Sequence, residues 1–214
     1  MKIQLLCFLF SSVLFSCSIE NPGGETPSIP QDGAKVVTSK LATFGSGCFW
    51  CGEAIFEQLR GVSEVVSGYS GGHVASPTYE EICGKETGHA EVFQVTYDPN
   101  IITYKDLLEV FWKTHDPTTL NSQGNDHGPQ YRSVIFHHDG EQRELARGYL
   151  EKLDQSGAFD APIVTTVVPF EKLWAAEAHH QDYYRRNQNT GYCQAVIVPK
   201  LLKFQSVFRA KLTR

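Results

Sequence analysis

The segment Gly45-Ser46-Gly47-Cys48-Phe49-Trp50-Cys51 packs two thiols, two bulky aromatics and two glycines into seven residues. An apolar run leads into it and a helical pattern leaves it, so a helix is expected to begin just after Cys48. Unpaired N–H groups and the positive end of a helix dipole favour thiolate over thiol. Glycines on the approach let the chain turn sharply and leave the sulfur accessible. Together these features read as a reactive thiol; the same cysteine without the glycines would read as structural, beside two core aromatics. A Cys-x-x-Cys pair also suits zinc, but a structural zinc site wants a second pair of closely spaced ligands. Cys83 and Cys193 stand alone, and Glu177-Ala178-His179-His180 has the wrong order for a His-Glu-x-x-His site, so no metal is expected. The pair also fits a thioredoxin-like thiol–disulfide oxidoreductase using Cys48 and Cys51. Two bulky residues between the thiols would obstruct a protein-docking surface, whereas they suit the wall of a small apolar pocket.

Three other stretches are polar for their context: Ser76-Pro77-Thr78-Tyr79-Glu80-Glu81, Thr87-Gly88-His89-Ala90-Glu91, and the loop from Gly124 to Arg132, which holds Asp126 and Tyr131. Glu91 heads an apolar strand pattern. It is either a solvated edge carboxylate or, in a partly apolar pocket, an acid with a raised pKa that can donate a proton. Tyr79 and Tyr131 read equally as core aromatics or as hydroxyl donors. Cys83 is expected to be structural.

The elements that must position these residues alternate between strand and helix patterns. Strands are expected at Lys40–Phe44, Val62–Tyr69, Glu91–Tyr97, Ser133–His137 and Ile163–Val168. Helices are expected at Cys51–Leu59, Tyr104–Lys113, Glu141–Leu153 and Glu171–Arg186, followed by a loop with a Val/Ile patch and a proline. Alternation alone suggests a doubly wound α/β sheet, although it cannot order the strands.

The front of the chain reads as an address. Residues 1–17, MKIQLLCFLFSSVLFSC, carry one lysine and an apolar run too short to span a bilayer, ending in Leu14-Phe15-Ser16-Cys17. This resembles a bacterial lipoprotein signal: residues 1–16 as signal peptide, Cys17 as the lipidated new N-terminus, and residues 17–39, rich in Pro, Gly, Ser and Thr, as a flexible tether. Cys7 leaves with the signal. The expected location is extracytoplasmic, as a membrane-anchored lipoprotein of a bacterial envelope. The domain proper then occupies residues 40–214. The whole chain has 214 residues, 41% hydrophobic and 20% charged, with a net charge of −5 and no basic run. It is therefore globular, with no nucleic-acid partner expected.

Six short motifs in order, GCFW at Cys48, PTY at Tyr79, TGHAE at Glu91, THDPTT at His115, GNDHGPQYRS at Tyr131 and GYC at Cys193, resemble the A-type peptide methionine sulfoxide reductases over about Leu41 to Phe208. The resemblance implies an α+β two-layer sandwich with a mixed sheet and a ferredoxin-like split βαβ core, in place of the doubly wound alternative. It implies that Cys48 attacks the sulfoxide sulfur, that Phe49 and Trp50 receive the substrate methyl, and that Glu91 protonates the oxygen. Tyr79 and Tyr131 would hydrogen-bond that oxygen, and Asp126 would lie near the substrate backbone. Cys193 would resolve the Cys48 sulfenic acid, with Cys51 as the alternative. No cofactor is expected; thioredoxin or another dithiol would serve as external reductant, oxidised proteins and peptides as substrates, and a monomer as the working form. A non-catalytic surface lipoprotein that binds a partner through its aromatics is the reading from another class.

Overall fold

The computed structural model describes residues 38–213; the signal, Cys17 and nearly all of the tether lie outside them. In chain order the elements are β1 (Lys40–Ser46), α1 (Phe49–Phe56), β2 (Val62–Ser70), α2 (Tyr79–Cys83), β3 (Ala90–Tyr97), α3 (Tyr104–Thr114), β4 (Ser122–Gln123) and β5 (Asp126–His127). They continue with β6 (Ser133–His137), α4 (Gly140–Ser156), β7 (Thr166–Pro169), β8 (Trp174–Ala175), α5 (Tyr183–Arg186) and α6 (Val198–Phe208).

Six strands form one sheet in the order β7-β6-β1-β3-β2-β8, and β4 and β5 make a separate hairpin. Because β3 runs antiparallel to both β1 and β2, those two strands are parallel to each other with β3 inserted between them. The β1-α1-β2 unit is thus a split βαβ. The β6–β7 pair is parallel and makes the sheet mixed. This replaces the doubly wound arrangement with the α+β one.

Alternation along β3 decides the layers. Phe93, Val95 and Tyr97 face the helices and join the main core, while Ala90 and Val92 face the other way and pack with Val134 and Phe136. Glu91 sits on the helix-facing side, one step before Phe93, and so extends a buried face with a carboxyl group. On β1, Phe44 is fully buried and its ring lies 5.7 Å from Phe56, 5.9 Å from Phe93 and 5.2 Å from Phe111. Truncating such a side chain typically costs about 3–5 kcal/mol. Helix α1 lies close on β3: a Cβ at Gly52 would fall 2.0 Å from the Phe93 ring.

Capping boxes start two helices, Thr78 with Glu81 at α2 and Thr103 with Asp106 at α3. The C-terminus returns to the end of α1. Arg60 N–H donates to Lys211 C=O at 2.8 Å, and Thr213 N–H donates to Gln58 C=O at 2.8 Å. Lys211 also pairs with Asp106 and Glu109 of α3.

Two expected elements differ. The helix over Glu171–Arg186 is absent: β8 interrupts it, and the remainder is a strap that becomes helical only at Tyr183–Arg186. Its polar side chains bond to other elements, and Asp182 adopts φ +52, which ends any helix running through it. The stretch expected as a loop holds a π turn at Cys193–Ile197 leading into α6. Pro199 falls in the first turn of α6, where its missing N–H is not needed. Smaller shifts occur at α1, which begins at Phe49 rather than Cys51, and at β7, which starts at Thr166 rather than Ile163.

Candidate active site

Strand β1 ends in a tight reversal that only glycine makes at low cost. Gly47 has φ +87, and a Cβ there would lie 2.5 Å from Cβ of Gln123. Gln123 is itself fixed: its side-chain oxygen accepts from Asp116 N–H at 3.1 Å, and its side-chain nitrogen donates to Asp116 C=O at 2.9 Å. The chain leaves this turn with Cys48 at the N-cap of α1, as its spacing predicts.

The next backbone donor, Phe49 N–H, points to Glu91 Oε2 at 3.1 Å. One strand carboxyl therefore caps the helix that begins beside the thiol. Glu91 is 1% exposed and Cys48 is 6% exposed. Burial raises the Glu91 carboxyl to about 8, against the Phe49 hydrogen bond and helped by the charges of Asp126 and Cys51. Glu91 is therefore an acid that keeps its proton at neutral pH, the second of its two sequence readings.

Cys48 departs from expectation. Its place at a helix start favours thiolate, but burial, then contact with Cys51, then the Glu91 charge push its thiol well above the ordinary range. Burial thus favours the thiol as the resting form. Cys51, one turn along α1, shares a proton with it: the Cys48 S–H draws Cys51 down to about 7 against burial, aided by Lys200. All four cysteines of the described residues are free.

Tyr79 opens α2 and Tyr131 follows the β4–β5 hairpin. Their hydroxyls are held protonated first by burial, then by the Glu91 charge, with Cys48 a smaller contributor to both. Both phenols thus lie in the electrostatic field of the thiol and the acid. Arg132 ties the two sides together, donating to Pro129 C=O at 3.0 Å and to Gly88 C=O at 3.1 Å. Glu177 accepts from Tyr79 N–H at 2.8 Å and from the Tyr69 hydroxyl at 3.0 Å, fixing α2 against β2. Asp126, in the hairpin, accepts from the Tyr192 hydroxyl at 2.9 Å.

The two aromatics after Cys48 part company. Phe49 is fully buried, packed on Tyr69 and His180 at 5.9 and 5.4 Å between ring centroids. Trp50 is half-buried and lies flat against Tyr183, with centroids 3.5 Å apart and planes 7° from parallel. Trp50 therefore offers the pocket face, and Phe49 backs it.

Residues not singled out from sequence complete the site. Tyr192 touches both thiols, and its sole sequence signal is its place in Gly191-Tyr192-Cys193. His180 is 3% exposed, with both ring nitrogens buried and unpartnered. It packs on Trp50 at 5.5 Å and on Tyr79 at 4.4 Å, and burial holds it neutral. Neither His180 nor Tyr183 carries a motif of its own.

Cys193 is not in a loop. It is fully buried in the π turn and belongs to the helix-layer core, whereas Cys51 is the thiol in contact with Cys48. Cys83, expected to be structural, is exposed at the end of α2, with its thiol beside the Tyr79 hydroxyl.

The arrangement joins a nucleophilic sulfur, a neutral acid, two phenols and an aromatic wall, which suits attack on a polar centre bearing an apolar group. A family model described as peptide methionine sulfoxide reductase matches residues 40–212. A peptide methionine sulfoxide reductase of Rhodopirellula baltica is 55% identical over 173 residues, covering 81% of this chain and 89% of its own. Reduced Mxr1 from Saccharomyces cerevisiae superposes with a TM-score of 0.66 at 32% identity, over 72% of this chain and 89% of that one. Methionine sulfoxide reductase A of Corynebacterium diphtheriae gives 0.63 at 34% identity, over 70% and 75% of the two chains.

Proposed function

The chain belongs to the peptide methionine sulfoxide reductase family and is a thiol-dependent oxidoreductase acting on methionine sulfoxide; from there we propose that it reduces the S epimer in proteins and peptides, with Cys48 as nucleophile and Glu91 as acid. The observation that carries this reading is the single Phe49 N–H to Glu91 bond, which sets a buried neutral carboxyl beside the N-cap thiol.

A sulfoxide presents a negative oxygen, a positive sulfur and a methyl. The oxygen takes the place where Glu91, Tyr79 and Tyr131 offer O–H donors, and the methyl lies against Trp50. Cys48 then attacks the sulfur. As the S–S bond forms, the oxygen takes the Glu91 proton, and the Cys48 proton restores the acid. Transfer of the hydroxyl to the Cys48 sulfur breaks both the substrate S–O bond and the new S–S bond, so methionine leaves and Cys48 becomes a sulfenic acid. A second thiol displaces water to give a disulfide, and an external dithiol such as thioredoxin reduces it by exchange.

For that second thiol, contact favours Cys51. It lies three residues from Cys48, and the two thiols are in contact. Cys193, fully buried in the π turn, is the alternative. Single-turnover reduction of each epimer of a sulfoxide peptide, followed by disulfide mapping, tests these assignments. Consumption of the S epimer alone with a Cys48–Cys51 bond is expected, and a Cys48→Ser protein with the native rate refutes the nucleophile. Insulin reduction without sulfoxide turnover would instead support the thiol–disulfide oxidoreductase.

We also propose that the chain is exported and anchored through lipidated Cys17, on the strength of the apolar run ending in Leu14-Phe15-Ser16-Cys17. Labelling with a fatty-acid probe in wild type and not in Cys17→Ser is the expected outcome.

A further inference from the structure

The strap between β8 and α5 packs His180 on Phe49 and Trp50, yet α5 has four residues and is too short to hold itself in place. A carboxylate on the nucleophile's own helix holds it. Glu53 is 1% exposed. Its Oε1 accepts from the Ser67 hydroxyl at 3.1 Å and from Asp182 N–H at 3.0 Å, and its Oε2 accepts from Tyr183 N–H at 3.1 Å. Beside it, the Gln181 side chain pairs with β2 as a strand would. It accepts from Ser67 N–H at 3.0 Å and donates to Ser67 C=O at 2.8 Å and Ala176 C=O at 2.9 Å.

Asp182 adopts φ +52, a conformation that costs a non-glycine residue on the order of 1 kcal/mol. In return, two consecutive N–H groups point at one carboxylate, and Tyr183 lies flat on Trp50. Trp50 and Glu53 are three residues apart on α1, so a single helix carries both the pocket wall and the anchor of the ring that backs it.

We propose that Glu53 is a positioning residue whose ionised carboxylate fixes the Asp182–Tyr183 turn and thereby sets the affinity of the Trp50 wall for the sulfoxide side chain. This rests on the pocket reading above and adds a second titratable group to it. The charged groups beside Glu53 are Glu57 from α1 and Asp182 from the strap, which Arg185 of α5 pairs with at 3.0 and 3.1 Å; Ser67 and Tyr183 face it uncharged. Burial, opposed first by the Asp182 and Tyr183 N–H bonds, raises the carboxyl to about 7. Protonation replaces an acceptor with a hydroxyl facing two N–H donors, so the turn loosens as pH falls through that value.

The test is KM and the saturated single-turnover rate from pH 5.5 to 8.5 in wild type, Glu53→Gln and Ser67→Ala. Wild-type KM is expected to rise as pH falls through 7, while Glu53→Gln shows a KM about tenfold higher, flat with pH, and a saturated rate close to native, the loss matching one charge-assisted hydrogen bond. Ser67→Ala removes a hydroxyl that favours the ionised form, so its KM limb moves to higher pH. A merely structural role lowers stability without moving that limb. Where Glu53→Gln does not fold, Ser67→Ala carries the test, and a limb at its native position overturns the inference. Trp50 emission, obtained by subtracting a Trp50→Phe protein, reads the clamp without turnover. A change between pH 8 and 6 in wild type supports the clamp even where neither epimer is reduced. No change overturns it even where the S epimer is.

Discussion

Replacing Glu91 by Gln separates what burial does to stability from what the proton does to rate. The amide oxygen keeps the bond from Phe49 N–H, and the amide nitrogen occupies the place of the carboxyl O–H, so the cavity is filled as before. In the native protein the carboxyl moves from its ordinary 4.5 to about 8. At about 1.4 kcal/mol for each pH unit, holding that proton amounts to about 5 kcal/mol. A folded-state pKa above the unfolded one stabilises fully below pH 4.5, and that contribution is lost as pH rises through about 8. Glutamine does not titrate. The two proteins should therefore have similar stability in urea at pH 4.5, and the variant should be more stable by about 3 kcal/mol at pH 7 and approach 5 at pH 8. The saturated single-turnover rate at pH 7 should fall by about 10²–10⁴, the usual contribution of a general acid. Because the Glu91 charge raises the Cys48 thiol, iodoacetamide should modify Cys48 at lower pH in the variant. A stability difference that stays constant from pH 4.5 to 8 refutes the claim that burial holds the proton. A rate within about threefold of native refutes its use in catalysis.

Three further outcomes are expected. The native single-turnover rate should decline as pH rises through about 8, as the acid form of Glu91 is lost, and a rate that climbs through that range contradicts the assignment. Gly52→Ala places a Cβ 2.0 Å from the Phe93 ring and should cost about 1–3 kcal/mol in urea denaturation, since α1 must lift from β3; an unchanged midpoint would show that the helix sits elsewhere. Cys51→Ser should keep the first-turnover rate but accumulate a sulfenic acid trapped by dimedone, whereas prompt formation of a Cys48–Cys193 disulfide would make Cys193 the resolving thiol.

The chemistry was more legible in the sequence than the frame around it. A short apolar run bounded by polar residues declares itself as a strand, and Ser133–His137, buried on both faces, has the same bounds in pattern and structure. The Gly47-Cys48 turn was readable because glycine before a helix start has few other uses. Residues 171–186 have a helical spacing of apolar groups, but the segment serves tertiary contacts: Glu177 bonds to Tyr79 and Gln181 to Ser67. Pro199 does not reveal α6 from sequence, because a proline's effect depends on whether it falls in the first turn of a helix or later, which the local pattern leaves open. Tyr183, His180 and Glu53 had no signal, since their roles arise from residues more than a hundred positions away meeting α1. At Cys48 the local dipole that favours thiolate is visible in the sequence, whereas the burial that opposes it is not.

The clasp between Gln58–Arg60 and Lys211–Thr213 bears on the order of folding. It joins segments far apart in sequence, and such contacts close late because the chain between them must first be ordered. The helix that carries Cys48 and Cys51 is therefore fastened at its far end only once that long intervening chain has folded.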